Sequence, residues 1–136
     1  MIGIRDIFES LYNAMKDVCE NVYLQERPSS VIERVDSYIV VSLHSTVANR
    51  EIGNAGEYNF YVTTGQIEIY VRDKVSANKP NRIDINEVDK LVKGVIGKFP
   101  IKDDNILATK PRITLATSDG NGFHCTIIQT RITTLV

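Results

Sequence analysis

The chain has 136 residues, 43% of them hydrophobic, with 16 Lys and Arg against 17 Asp and Glu, two His, two Cys and no Trp. This length fits a single domain, residues 1–136, that buries roughly 65–70% of its unfolded surface and needs no metal or disulfide framework to sustain a core. A formal charge of -1 with both signs interspersed excludes a field that would draw the whole protein onto nucleic acid or an anionic membrane.

The first apolar residues, Ile4, Ile7, Phe8, Leu11, Tyr12, Met15, Val18, Cys19 and Val22, keep the spacing of one helix face. They predict an amphipathic helix of about five turns, with Arg5, Asp6, Glu9, Lys16, Asp17 and Glu20 on its other side. Charges among the apolar residues of Met1–Ile7 read as mature protein, not a secretory signal. Pro28 then predicts a loop over Leu24–Ser30 that carries the chain to a new layer.

From Ser37 the pattern turns β-branched and aromatic. Tyr38-Ile39-Val40-Val41-Ser42-Leu43 and the run Tyr58–Val71 predict the strands of a long hairpin, joined by the turn signal Gly53-Asn54-Ala55-Gly56. Gly65, in the middle of the second run, predicts a bulge or a bend. Lys74–Arg82 is polar and predicts a connection. Asp84, with Glu87 three residues on, predicts the capped start of a helix bearing Ile85, Val88, Leu91, Val92, Val95, Ile96 and Phe99. Its lysines keep it from being a membrane span. Ile113–Thr117 and Phe123–Ile132 predict a last hairpin around Ser118-Asp119-Gly120-Asn121-Gly122, where the glycines supply the positive φ that tight turns need.

The expected fold is therefore α+β, in the order α-β-β-α-β-β. About four antiparallel strands from two hairpins carry two packed amphipathic helices. Such a sheet has unpaired edges, and these favour oligomerisation.

Candidate chemistry is sparse. His124 and Cys125 are adjacent in a strand and point to opposite faces, so they do not share a metal. A Cys125 nucleophile with His44 as base lacks any helix N-terminus or strained turn to activate the thiol, and a small buried residue beside a surface histidine is the simpler reading. Cys19 and Cys125 read as free thiols, which fits a reducing compartment. Asp103-Asp104 and Glu87 with Asp89 read as caps and solvated acids. Gly53, Gly56, Gly120 and Gly122 match no phosphate-binding loop. No catalytic residue, metal or cofactor is expected. Basic residues gather at Lys74, Lys79 and Arg82, and again at Lys90, Lys93, Lys98 and Lys102. The chain from Glu57 onward carries +2 against -3 before it.

The order of segments, with Arg27-Pro28-Ser29-Ser30 before Tyr38-Ile39-Val40-Val41, then Gly65-Gln66-Ile67-Glu68-Ile69-Tyr70-Val71 and Val88-Asp89-Lys90-Leu91-Val92, resembles the tail terminators and related head-tail joining proteins of tailed bacteriophages. The resemblance implies a structural, non-enzymatic virion or prophage protein. It would assemble in the cytoplasm of a bacterial host as a ring, typically a hexamer, that caps the tail tube and docks to the neck or connector proteins. Under that reading Gly53, Asn54, Lys74, Lys79 and Arg82 meet other subunits, and Lys90, Lys93 and Lys98 face the channel or the DNA within it. One alternative is a small-ligand-binding or hydrolytic domain using the sheet face around His44, Tyr70 and Cys125. Another is a nucleic-acid-binding module working through the second helix.

Overall fold

A computed structural model describes residues 2–30, 34–52, 57–75 and 82–135, with the side chains of 44–52, 57–62 and 116 outside that description. The chain runs α1 (Ile4–Lys16), β1 (Val22–Leu24), β2 (Ser37–Ile52), β3 (Glu57–Arg72), α2 (Ile85–Ile96), β4 (Ile101–Lys102), β5 (Ile106–Ser118) and β6 (Phe123–Thr134). The strands form one mixed sheet in the order β1-β2-β3-β6-β5-β4.

This overturns the expected sheet of about four antiparallel strands. Among the described residues the sheet has six strands, and β1 lies parallel to β2, with Val22 opposite Ile39 and Leu24 opposite Val41. The two added strands, β1 and β4, have three and two residues. They are too short to leave a periodic signal in the sequence, and their pairing is set by the long strands beside them. For the same reason the first helix is shorter than its apolar spacing suggests. Helix α1 ends at Lys16, where the N–H groups of Val18 and Cys19 both turn back to the Met15 carbonyl at 2.9 and 3.1 Å. Cys19 and Val22 still reach the core, from the turn and from β1.

Both helices cover the same face of the sheet. Ile7, Leu11 and Met15 of α1 and Val88, Leu91 and Val95 of α2 join Ile39, Val41, Ile67, Ile69, Val71, Ile106, Ala108, Ile128 and Ile132 in one buried cluster. Asp84 caps α2 by accepting the Glu87 N–H at 3.3 Å. Ile85, expected on the apolar face of α2, is instead 61% exposed. The opposite face carries a smaller cluster around Tyr38, Val40 and Phe123. There Tyr38 stacks on Tyr70 with ring centroids 4.5 Å apart, and Arg27 donates from Nε to the Tyr38 hydroxyl at 2.8 Å. The segment after β1 thus crosses to this side of the sheet.

The expected irregularity at Gly65 lies elsewhere. Gly65 pairs in register with Leu43 on one side and Thr130 on the other, whereas the register shifts occur between His44 and Ala48 and between Ala48 and Asn49. Gly65 answers a close approach. A Cβ there would run into the Ile132 Cδ1 methyl and lie 3.3 Å from Ile132 Cγ1 and 3.4 Å from Thr130 Cγ2. The last hairpin turn matches its sequence signal, with φ of +80° at Gly120 and +87° at Gly122, and Asp119 Oδ1 accepting from Asn121 N at 2.7 Å.

Gly65→Ala should therefore destabilise the fold by about 1–3 kcal/mol through overpacking, as read by urea denaturation. Adding Ile132→Ala should cost less than the sum of the two single changes, because the smaller side chain frees the space the new methyl needs.

Candidate functional site

The residues singled out in the sequence fall at three places, the end of β3, the sheet face around Tyr70 and the second helix. Lys74 and Arg82 close the connection after β3 with a pair of backbone hydrogen bonds, Lys74 N to Arg82 O at 2.6 Å and Arg82 N to Lys74 O at 3.0 Å. Lys74 Nζ also lies 3.5 Å from Asp84. Lys79, Gly53 and Asn54 lie outside the described residues. A hollow of about 400 Å³ at this end of the sheet is lined by Asp36, Arg72, Asp73, Lys74, Asp84 and Glu87. Arg72 bridges it to the loop before β2, donating to Asp36 Oδ1 at 3.1 Å and to the Val35 carbonyl at 2.7 Å. His124 is not the surface residue it was expected to be. Its Nδ1 pairs with the Asp73 carboxylate, whose side chain is only 3% exposed. Among the described residues, no group of three or more His, Cys, Asp and Glu side chains is placed to hold a metal ion.

On the sheet face around Tyr70 and Cys125, Tyr70 is partly buried against the Tyr38, Val40 and Phe123 cluster, and Cys125 is half-buried. Burial, and then the hydrogen bond its hydroxyl gives to Glu68 Oε1 at 2.7 Å, hold the Tyr70 phenol well above its ordinary range. Glu68 also accepts from Ser42 at 3.2 Å. Burial pushes the Cys125 thiol up to about 11, with the charges of Glu68 and Asp119 acting in the same direction. His44 pairs with Thr64 and Cys125 with Tyr70, six positions apart on β3. That is about 20 Å along a strand, too far for His44 to take a proton from Cys125. Cys19 lies in the core cluster on the helix side, and both cysteines are free.

The helix lysines are largely neutralised. Lys93 Nζ sits 2.8 Å from Asp89, and Lys98 Nζ sits 2.9 Å from Asp17 at the end of α1. Lys90 is exposed on α2. A different set of cations was missed by the sequence reading. Lys110, Arg112 and Arg131, from β5 and β6, line one hollow on the face away from the helices. Arg131 is remote in sequence from Lys110 and Arg112, and only a cross-strand register brings it beside them. The two cations of Lys110-Pro111-Arg112, just before the run Ile113–Thr117, were the available signal.

Two features face outward from the sheet. Strand β3 pairs with β6 only from Val62 to Arg72, while β2 and β3 continue to pair as far as Ile52 and Glu57. The hairpin thus extends past the sheet as a two-stranded arm, about 17 Å for five residue steps. At the other side β4 pairs with Leu107 and Ala108 alone, so among the described residues the outer edge of β5 is open from Thr109 to Ser118. There Leu115 is 77% exposed and, with Ile85, Val88 and Val92 of α2, borders an apolar groove of about 290 Å³. No described helix is long and apolar enough to cross a membrane.

Comparison with protein-family models and with curated proteins yields no match for this chain.

With a pKa near 11, about one Cys125 thiol in a thousand is ionised at pH 8. Alkylation of native protein should therefore be slow at neutral pH, rise with pH until about 11, and reach the rate of an ordinary thiol once the chain is unfolded. Mass spectrometry of iodoacetamide-treated protein checks this.

Proposed function

We propose that the chain is a structural virion or prophage protein of the tail-terminator kind. It forms a homo-oligomeric ring that caps the tail tube, docks to the neck or connector proteins and surrounds the path of the DNA. It is assembled in the bacterial cytoplasm and performs no catalysis.

The observation that carries this reading is the two-stranded arm beyond the sheet. An isolated hairpin is marginally stable in water at best, so an arm of this kind is suited to lie against another subunit or the tube. The open edge of β5 adds to it. The outer edge of β2 beyond Val41 and that of β5 beyond Ala108 are unlike surfaces on opposite sides of one sheet. Joining one to the other is a head-to-tail contact, and such a contact closes into a ring when its rotation divides the circle. Under this reading Lys74 and Arg82 belong to a contact zone at the end of β3 away from the arm, and Gly53, Asn54 and Lys79, outside the described residues, also meet other subunits. The exposed Leu115 beside the α2 groove supplies apolar area to the seam between subunits.

Light scattering across a concentration series tests the proposal. A discrete ring mass is expected, and a monomer at every concentration overturns self-assembly as the basis of function. Replacing residues 50–59 by Asn-Gly, a two-residue turn matched to the hairpin twist, should leave cooperative unfolding intact and remove the ring mass. Leu115→Lys should change stability by no more than about 0.5 kcal/mol, as for an exposed site, while weakening assembly in the same measurement.

A further inference from the structure

We propose that Lys110, Arg112 and Arg131 form a phosphate-binding site on the open face of the sheet. The three line a hollow of about 220 Å³ together with Thr64, Gln129 and Thr130. None of them has an ion-pair partner among the described residues, whereas Arg5, Arg72, Lys74, Lys93 and Lys98 each meet a carboxylate. In a chain of net charge -1, three cations left together without a counter-charge are the exception. The nearest acid on this face of β3, Glu68, is two pleats from Thr64, and its oxygens are taken by Ser42 and Tyr70.

The backbone is bent to bring them together. Thr109 stands opposite Arg131 and Arg112 opposite Gln129, so three steps on β5 match two on β6. The extra residue changes the phase of the strand. In a regular strand Arg112 would point to the face opposite that of Thr109, toward the helices. With the bulge it shares a face with Gln129 and Arg131. The bulge costs an uncommon conformation, since Lys110 has φ of +55° although it is neither glycine nor asparagine and precedes a proline, which favours extended backbone in the residue before it. A strained lysine whose distortion aims an arginine at a second arginine is a built feature, in keeping with the clustering of such strain at binding sites.

Two guanidinium groups and an ammonium match a tetrahedral oxyanion, because each guanidinium can give two parallel hydrogen bonds to adjacent phosphate oxygens while the lysine adds point charge. Thr64 contributes a hydroxyl. The phosphate can come from a nucleic-acid backbone or from free phosphate in solution. The site needs one subunit only, so it stands whether or not the chain forms rings.

The test is titration of isotopically labelled protein, followed by amide chemical shifts, with sodium phosphate at constant ionic strength and separately with a short DNA duplex. Saturable shifts centred on Lys110, Arg112 and Arg131 are expected with phosphate. The Arg112→Gln, Arg131→Gln double variant should weaken this binding by roughly tenfold or more. If the natural source is the DNA backbone, the duplex binds too, and the double variant lowers the slope of log K against log salt by about two. Saturation by phosphate with no response to the duplex identifies the free anion. Lys90→Gln with Lys93→Gln should leave the phosphate titration unchanged, and Lys110→Gly should weaken phosphate binding while holding or raising stability, since glycine adopts the positive φ without strain. Shifts that never saturate, or a double variant that binds like the parent, overturn the site.

Discussion

Strand β3 is hydrogen-bonded on both sides from Thr64 to Val71, to β2 and to β6, and the remaining architecture hangs on that double pairing. It sets Ile67, Ile69 and Val71 in line with Ile39, Val41, Ile128 and Ile132 on one face, a continuous apolar floor for both helices. Gly65 leaves room for the Ile132 side chain of the neighbouring β6 to lie over β3, much as Gly94 in α2 lets Val18 approach, where a Cβ would sit 2.9 Å from Val18 Cγ1. The pairing with β6 stops at Val62, and the β2–β3 hairpin goes on as a backbone ladder of two strands. A two-stranded ladder is marginally stable in water by itself and invites contact from outside the chain.

The charge balance conceals its own distribution. A net charge of -1 suggests an unremarkable surface, yet cations meet acids unevenly among the elements. Lys93 of α2 stands beside Asp89 one turn away, and Lys98, just after α2, reaches Asp17 at the end of α1. The cations of β5 and β6 stand beside threonine and glutamine. Exposed ion pairs contribute little to stability. Their consequence here is to offset the charge of Lys93 and Lys98 on the helix side, whereas Lys110, Arg112 and Arg131 have no ion pair among the described residues. The pair of buried Asp73 and half-buried His124 is a separate feature at the far end of β3, tying the strand exit to β6.

The sequence by itself determined what depends on neighbours a few residues apart. The amphipathic face of α1, the Asp84 cap of α2, the long β2–β3 hairpin and the Gly120 and Gly122 turn are each set by local periodicity or by a backbone conformation that few residues adopt. The opposite facing of His124 and Cys125 follows from strand alternation alone. Tertiary structure decided everything that depends on register and distance: the six-stranded mixed sheet in place of about four antiparallel strands, the parallel β1, the burial of His124 against Asp73, the separation of His44 from Cys125, and the meeting of Lys110, Arg112 and Arg131. The physical reason is the same in each case. A strand of two or three residues carries no period of its own, and a bulge of one residue inverts which side chains share a face without altering composition or hydrophobicity, so the outcome is fixed only when the strands pair.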